Sequence, residues 1–261
     1  MNIESIYHAY LVDVESARKR TKNKFHASAS GSCYRKQLYS YFDFPTDTKD
    51  NKSYRLLRLG TIVHQDIEDA IEHYCGLSTK SKDPIRDVYV EDEIEIEELN
   101  VVGTYDIGEL KDNEFNLYDI KTTAVYSWTK MFGRKENRKP GAADNYKMQL
   151  GTYAIGIKEK YDQVSKVNMF LLWYRKNDSM WRETSVGSEW IDKAMEYWVE
   201  LNNILEDCYD SNSDSPSIFE NELTPGLHLG VPFQDWECSY CQYYSICPSN
   251  LAKRRTGWVS G

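Results

Sequence analysis

The spacing of apolar residues changes along the chain, and each change marks a different kind of secondary structure. In the first 80 residues, apolar side chains recur every three to four positions, as on one face of a helix. This period predicts helices over 3–21, through Cys33 to Tyr41, and over 54–74. On the last of these the apolar stripe is Leu56, Leu59, Val63, Ile67, Ala70 and Ile71. Apolar and charged residues then alternate over 88–123, which predicts three strands. Later periods predict helices over 142–161 and 188–208 and strands over 164–175 and 180–186.

The order of these elements is helices, three strands, a helix, two strands and a helix, followed by a loop-rich end. This order predicts an α/β fold with mainly antiparallel neighbours rather than a doubly wound βαβ series. The 261 residues, 41% of them hydrophobic, suffice to bury one substantial core. We therefore expect a single domain over 1–261, with a helical part over 1–80, a core over 85–208 and a cysteine-rich end over 209–261.

Two features of the sequence argue against a membrane location. No stretch approaches about 18 consecutive apolar residues, the length that a membrane-spanning helix needs. The first 20 residues are polar and charged and lack the apolar middle of a signal peptide. We expect a soluble, cytoplasmic protein with no membrane partner.

Charge is distributed unevenly along the chain. The formal net charge is −9, from 32 Lys and Arg against 41 Asp and Glu. Residues 1–60 carry a net +5 and residues 121–182 a net +8, whereas 61–120 carry −13 and 183–261 carry −9. A protein of this kind can present a positive surface although it is acidic overall, so its net charge does not exclude a nucleic-acid partner.

Asp112 and Asn113 separate two of the predicted strands and are typical of a tight hairpin turn. A turn centred between them places Asp106 opposite Asp119, with Cβ atoms about 4.5–5.5 Å apart. Lys121 lies two residues beyond Asp119 and projects from the same face. The opposite face then carries Tyr105, Ile107, Tyr118 and Ile120.

Two carboxylates at this separation repel each other unless a cation lies between them. Hard ions such as Mg²⁺ or Mn²⁺ bind oxygen ligands of this kind. A lysine beside such an ion can orient water or stabilise charge on a phosphate. Taken alone, the hairpin also fits a cross-strand salt-bridge cluster on the protein surface, so the residues leave both interpretations open.

The spacing G-x-x-D, from Gly103 to Asp106, followed by D-I-K, from Asp119 to Lys121, resembles the RecB-like branch of the PD-(D/E)XK nucleases. Upstream, GTIVH places a histidine on a predicted helix, and downstream YKMQLGTYAIG places a glutamine and a tyrosine one helical turn apart. The resemblance covers about residues 31–248. It implies a restriction-endonuclease-like mixed sheet flanked by helices, and hydrolysis of DNA with Mg²⁺ or Mn²⁺.

The resemblance also assigns roles to individual residues. It implies that His64, Asp106, Asp119 and the backbone carbonyl of Ile120 hold the metal. It implies further that Lys121 positions the attacking water and that two residues of the downstream helix support Lys121 or the DNA, namely Gln149 and Tyr153.

The activity that we expect is exonucleolytic, on single-stranded DNA with a free end. One alternative is a DNA-processing nuclease of the CRISPR-adaptation type that requires partner proteins. Another is an inactive nuclease fold that serves as a DNA-binding module. The sequence contains no G-x-x-x-x-G-K-[ST] motif, so we expect any helicase motor to be a separate chain.

Three of the six cysteines form the compact motif C-x2-C-x5-C-P, and an intracellular protein rarely forms disulfides. The motif comprises Cys238, Cys241 and Cys247. The spacing of the cysteines alone does not distinguish a zinc site from an iron–sulfur cluster. Similarity to the CRISPR-associated and AddB-type nucleases implies a structural 4Fe-4S cluster with Cys33 as the fourth ligand, and Zn²⁺ stays the alternative. We expect Cys75 and Cys208 to be ordinary thiols.

A basic segment with interleaved aromatic residues follows the D-I-K strand. It comprises Trp128, Lys130, Phe132, Arg134, Lys135, Arg138 and Lys139. Such a composition suits single-stranded nucleic acid, through phosphate neutralisation and base stacking, although a solvated loop has a similar appearance. Residues that could extend this surface from the N-terminal side are Arg35, Lys36, Arg55 and Arg58.

Overall fold

Six strands form one mixed sheet, and helices cover both of its faces. The computed structural model describes residues 1–17, 21–76, 87–208, 227–228, 231–232 and 236–247. The helices are α1 (Ile3–Ser16), α2 (Tyr34–Tyr41), α3 (Asn51–Cys75), α4 (Val125–Phe132), α5 (Asp144–Lys160), α6 (Glu189–Cys208) and α7 (Trp236–Ser239). The strands are β1 (Phe25–His26), β2 (Val88–Ile96), β3 (Val101–Lys111), β4 (Glu114–Thr123), β5 (Lys166–Arg175), β6 (Met180–Val186), β7 (Leu227–His228) and β8 (Val231–Pro232).

The main sheet has the order β1-β3-β4-β5-β6, with β2 also paired to β3, while β7 and β8 pair with each other. The pairs β2–β3, β3–β4 and β5–β6 are antiparallel, whereas β1–β3 and β4–β5 are parallel. The predicted α/β class, with a mixed sheet flanked by helices, is therefore confirmed.

The hairpin between β3 and β4 has the predicted register. Ile107 pairs with Tyr118, and Lys111 pairs with Glu114. The two turn residues, Asp112 and Asn113, have φ angles of 50° and 62°, as a type I′ turn requires. This turn matches the right-handed twist of the strands and thereby fixes which side chains face each other.

The β3 strand changes partner part of the way along its length. Its pairing with β4 ends at Ile107, and its N-terminal end pairs with β1 instead, through Phe25 and Val101. The β4 strand meanwhile continues beside β5 as far as Thr123. Asp106 therefore lies where β3 and β4 separate, and this separation opens a gap in the sheet.

The gap also changes the direction in which the side chains of β3 point. Tyr105 packs against Phe115 in the large core on the α5 side. Ile107, two residues later, belongs to a small cluster with Ile120 beneath α3. The prediction of one apolar hairpin face was therefore wrong, because the alternation of β3 is broken at Asp106. At this hairpin, both faces of the sheet pack against apolar residues.

The C-terminal half of α3 covers the face opposite α5, where Ile67 and Ile71 pack on the small cluster. The N-terminal half of this helix packs on α1, and there Leu56 and Leu59 are exposed. The predicted apolar stripe therefore contacts the sheet only through its second half. In the part of the chain that the structure describes, no helix is both long and apolar enough to cross a bilayer.

Candidate active site

Lys121 lies at the centre of a buried polar group on β4. Its Nζ atom is 2.7 Å from Oδ2 of Asp119 and donates a hydrogen bond of 2.9 Å to Oε1 of Gln149. The ammonium also lies 5.1 Å from the centre of the Tyr146 ring. Asp119 is 1% exposed and the Lys121 side chain 16%, so the carboxylate is shielded from water whereas the ammonium keeps a small exposed face.

The α5 helix positions the partners of Lys121. Gln149 and Tyr153 are one turn apart, and the Gln149 amide donates a hydrogen bond of 2.8 Å to the Tyr153 hydroxyl. The Tyr153 ring lies against Gly103, where a Cβ atom would come within 2.9 Å of the ring. The glycine of the G-x-x-D motif thus leaves room for the tyrosine that orients the glutamine.

Asp106 closes the gap between the two strands. Its Oδ2 atom accepts a hydrogen bond of 2.6 Å from the backbone N–H of Ile120, which lies beyond the end of the β3–β4 pairing. The same oxygen is 3.7 Å from Nδ1 of His64, on α3. That helix approaches β4 closely at Gly60, where a Cβ atom would come within 3.1 Å of the Thr122 hydroxyl oxygen.

Two further carboxyl groups belong to this site and were not predicted. Ligand atoms of His64, Glu68 and Asp106 all lie within 4.8 Å of one another. Glu91, on β2, is near the Glu68 carboxyl group and contributes to its raised pKa. Glu68 could have been found from the sequence, because it lies four residues after His64 and therefore on the same face of the predicted helix. Glu91 was hidden among the alternating acidic residues of β2.

Burial and mutual repulsion change the acidity of the carboxyl groups. Burial raises the pKa of Asp106 and of Asp119 to about 6, against the lowering effect of the Lys121 charge. Burial and the nearby Glu91 raise the pKa of Glu68 to about 8. Each carboxylate is therefore costly to ionise without a cation.

The two basic groups of the site are shifted in opposite directions. Burial and the Lys121 charge lower the pKa of His64, so its imidazole is neutral and able to bind a metal at neutral pH. Burial lowers the pKa of Lys121, but Asp119 and Asp106 raise it by more, and the net shift is upward. Lys121 is therefore an ammonium and acts as a hydrogen-bond donor.

This donor set fits a hard divalent cation. The site holds carboxylate oxygens and one neutral imidazole, and Oδ2 of Asp119 is buried without a well-oriented hydrogen bond. An oxygen-rich site with one nitrogen ligand suits Mg²⁺ or Mn²⁺. The structure brings His64, Asp106 and Asp119 together, with Ile120 between the strands.

The four cysteines of the predicted cluster line one cavity, which also includes Arg35 and Lys36. They are Cys33, Cys238, Cys241 and Cys247. Burial raises the pKa of Cys33 to about 12 and also raises that of Cys241. Buried thiols of this kind become good ligands when a metal displaces their protons. Arg35 is 4% exposed at this cavity, so it does not extend the basic surface as expected.

The basic segment after β4 forms α4 and the turn that follows it. Arg134, Lys135 and Arg138 are exposed, and Lys130 and Lys139 are half-buried. The expected stacking role of Trp128 was wrong: its side chain is 7% exposed, beneath Arg175 and against Phe132. Tyr126 is 74% exposed, and Lys130 lies 5.4 Å from its ring centre.

Comparison with solved structures finds 23 similar chains, two of which are described here. The structure of SSO0001 is 15% identical and has a TM-score of 0.49, with 96% of this chain and 98% of that chain covered. A chain named "Putative exonuclease" from Eubacterium rectale is 13% identical and has a TM-score of 0.45, with 79% and 86% covered. No protein-family profile and no curated protein matches the sequence.

We expect the free energy of unfolding of chelator-treated protein to fall as the pH rises from about 5 to about 8. Folding raises the carboxyl pKa values, so the folded protein binds more protons than the unfolded chain. The resulting stability is complete below the ordinary carboxyl pKa. It is lost as the pH passes about 6 for Asp119 and about 8 for Glu68. For Asp119 the loss is on the order of 3 kcal/mol.

Urea unfolding at several pH values in EDTA measures this slope. The double variant Asp119→Asn/Glu68→Gln should have a smaller slope, whereas Asp66→Asn, at an exposed position of α3, should keep that of the wild type. Equal slopes in the wild type and the double variant would contradict the assignment of the raised pKa values to these groups.

Proposed function

We propose that this protein is a metal-dependent deoxyribonuclease of the RecB-like PD-(D/E)XK type that degrades single-stranded DNA from a free end. The observation that carries the proposal is the half-buried Lys121 ammonium, held between the buried Asp119 carboxylate and Gln149 beside Asp106. A surface salt-bridge cluster does not require such burial or a glutamine–tyrosine pair behind the lysine.

The metal would be held by His64, Asp106, Asp119 and the backbone carbonyl of Ile120. A bound Mg²⁺ or Mn²⁺ supplies Lewis-acid stabilisation of charge on the phosphodiester. Before the ion binds, Asp106 is already fixed by the Ile120 N–H, and His64 is neutral. These two ligands therefore need little reorganisation.

Lys121 would orient the attacking water and stabilise charge on the phosphate. Two of its three N–H groups face Asp119 and Gln149, which leaves one for water or a phosphate oxygen. As an ammonium it cannot accept a proton, so its contribution is positional and electrostatic. Gln149 and Tyr153 would fix its direction.

The DNA strand would approach from the side of α4 and α5. The exposed basic residues there follow directly after the β4 strand that carries Lys121. A cavity of about 220 Å³ on this side is lined by Phe132, Lys139, Lys147 and Trp173, among others. The cleft beside β2 is lined by several glutamates, which would repel phosphates.

The four cysteines would hold a 4Fe-4S cluster with a structural role, because phosphodiester hydrolysis transfers no electrons. Cys33 directly precedes α2, and its N–H donates a hydrogen bond of 3.1 Å to Glu237, beside Cys238. A cluster at this position would join two segments that are about 200 residues apart in the sequence. Zn²⁺ bound by the same thiolates is the alternative occupant.

Asp119→Asn and Lys121→Met should each lower the rate of DNA cleavage by about 1,000-fold or more, because each removes a group at the reacting phosphate. Tyr153→Phe should cost about ten-fold, because it acts through Gln149. Cleavage of end-labelled DNA with Mn²⁺, on proteins whose folding is checked by circular dichroism, measures the effect.

The matched controls are Asp112→Asn and Lys111→Gln, at the exposed hairpin turn. Both should cleave at the wild-type rate. Folded Asp119→Asn protein with full activity would refute the catalytic assignment. A wild-type protein that binds DNA but does not cleave it would favour the DNA-binding module, and cleavage restored by partner proteins would favour the DNA-processing nuclease.

The purified protein should be brown, with broad absorbance near ~400 nm from thiolate-to-iron charge transfer. Cys33→Ser should remove this absorbance as completely as Cys241→Ser, because both residues line the same cavity. Cys208→Ser should retain it. Colourless wild-type protein with one equivalent of zinc would establish the alternative occupant.

Linear single-stranded DNA should be degraded progressively, and circular single-stranded DNA of the same sequence much more slowly, because a threaded strand needs a free end.

Arg134→Glu/Lys135→Glu should weaken DNA binding about ten-fold and reduce its salt dependence by about two phosphate contacts. The control is Lys158→Glu/Lys166→Glu, at exposed positions toward the other end of the sheet. Equal initial rates on linear and on circular single-stranded DNA would exclude the exonuclease in favour of an endonuclease.

A further inference from the structure

We propose that Asp92 and Tyr105 form a positioning pair for the candidate active site. Tyr105 directly precedes Asp106 in the chain, and its ring lies beside that of Tyr153 on α5. The pair therefore acts on both halves of the site, the metal-binding carboxylate and the helix that holds Lys121. This inference rests on the proposed nuclease function and adds to it two residues that lie outside the metal site.

The backbone of Asp106 is not held by the sheet itself. The β2–β3 pairing is interrupted at this residue, opposite Glu91, whose φ angle of 49° is in the left-handed region. The β3–β4 pairing extends only as far as Ile107. In the part of the chain that the structure describes, Asp106 is therefore paired across neither edge of β3. Its backbone position depends on its two neighbours in the strand, Tyr105 and Ile107.

Tyr105 is held at both ends of its side chain. The residue is 0% exposed, and its hydroxyl donates a hydrogen bond of 2.8 Å to Oδ2 of Asp92, its partner in the β2–β3 register. Its ring packs edge-on against Phe115 and Tyr153, with ring centres 5.8 and 6.4 Å apart. A buried aromatic ring with its hydroxyl bonded in this way has little freedom to move. Tyr105 thus fixes the start of the interrupted part of β3.

Asp92 joins β2 to the C-terminal end of α5. Its Oδ2 atom also accepts hydrogen bonds of 2.6 Å from Nζ of Lys160 and 3.0 Å from the hydroxyl of Tyr161. Lys160 is the last residue of α5, and hydrogen bonds between charged groups are the stronger ones. The carboxylate that holds Tyr105 therefore also holds one end of the helix that carries Tyr153.

The effect of the pair reaches the catalytic lysine through two hydrogen bonds. Gln149 donates to the Tyr153 hydroxyl at 2.8 Å, and Lys121 donates to Gln149 at 2.9 Å. A displacement of about 1 Å at a reacting group costs about 100-fold in rate, so a partial loss of these restraints has a measurable cost. Because the pair acts on position, its removal affects the chemical step and metal binding rather than the affinity for DNA.

Tyr105→Phe tests the inference, because it removes the hydroxyl and keeps the ring beside Tyr153. We expect kcat for DNA cleavage to fall about ten-fold, with KM within about two-fold of the wild type. The affinity of chelator-treated protein for Mn²⁺, measured by calorimetry, should fall about five-fold, because Asp106 is less well fixed. Asp92→Ala should have the same effects, whereas Asp92→Asn keeps an acceptor for the hydroxyl and should restore most of both quantities.

The matched control is Tyr161→Phe. It removes a hydrogen bond to the same oxygen of Asp92, but its ring packs on Tyr89 and Phe115, and it is not adjacent to Asp106 in the chain. This variant should keep the wild-type kcat and Mn²⁺ affinity. A purely structural network would make Tyr161→Phe as harmful as Tyr105→Phe, in proportion to the free energy of unfolding that each loses.

Two outcomes would overturn the inference. One is a Tyr105→Phe protein with the kcat and Mn²⁺ affinity of the wild type, and the other is an equal loss in Tyr161→Phe. Cleavage of DNA by the wild type and its loss in Asp119→Asn would leave the proposed function intact in either case. A wild type that binds Mn²⁺ but does not cleave DNA would contradict the proposed function, and the Mn²⁺ affinities would still decide for or against the pair. If Asp92→Ala does not fold, the two hydroxyl deletions decide alone.

Discussion

The hydrogen bond from the Ile120 N–H to the Asp106 carboxylate is the interaction on which the site depends. Where β3 leaves β4, a backbone donor of a buried strand loses its partner, and such a donor must be satisfied. A carboxylate satisfies it and at the same time brings a negative charge into the gap. Because the sheet is open there, α3 from one face and α5 from the other contribute side chains to the same site.

The cost of the site is the concentration of carboxyl groups in a buried volume. Asp106, Asp119 and Glu68 face one lysine ammonium and a neutral imidazole, so their charges are not balanced by the protein itself. Proteins keep such destabilising arrangements where function requires them, and the surrounding core compensates for the cost. Here the compensation is the large cluster beneath α5 and α6.

Much of the strand arrangement could be predicted from the sequence, because a two-residue turn and a period of two fix the register of a hairpin. The parts that were not predicted depend on contacts between distant segments. The alternation of β3 continues through Asp106 in the sequence, so nothing local indicates the change of partner that places Tyr105 and Ile107 on different faces. Trp128 has the composition of a DNA contact, and its burial depends on Arg175 from β5.

The cysteine cavity and the candidate active site are joined through α5. The segment before Cys33 reaches this helix at Ser30, whose hydroxyl lies 2.8 Å from that of Thr152, and Trp198 of α6 donates to the same hydroxyl. Thr152 is adjacent to Tyr153, which orients Gln149 and through it Lys121. Any group that fixes Cys33 therefore also restrains the helix that positions the lysine. A structural role for the proposed cluster and an effect on the proposed catalysis are for this reason compatible.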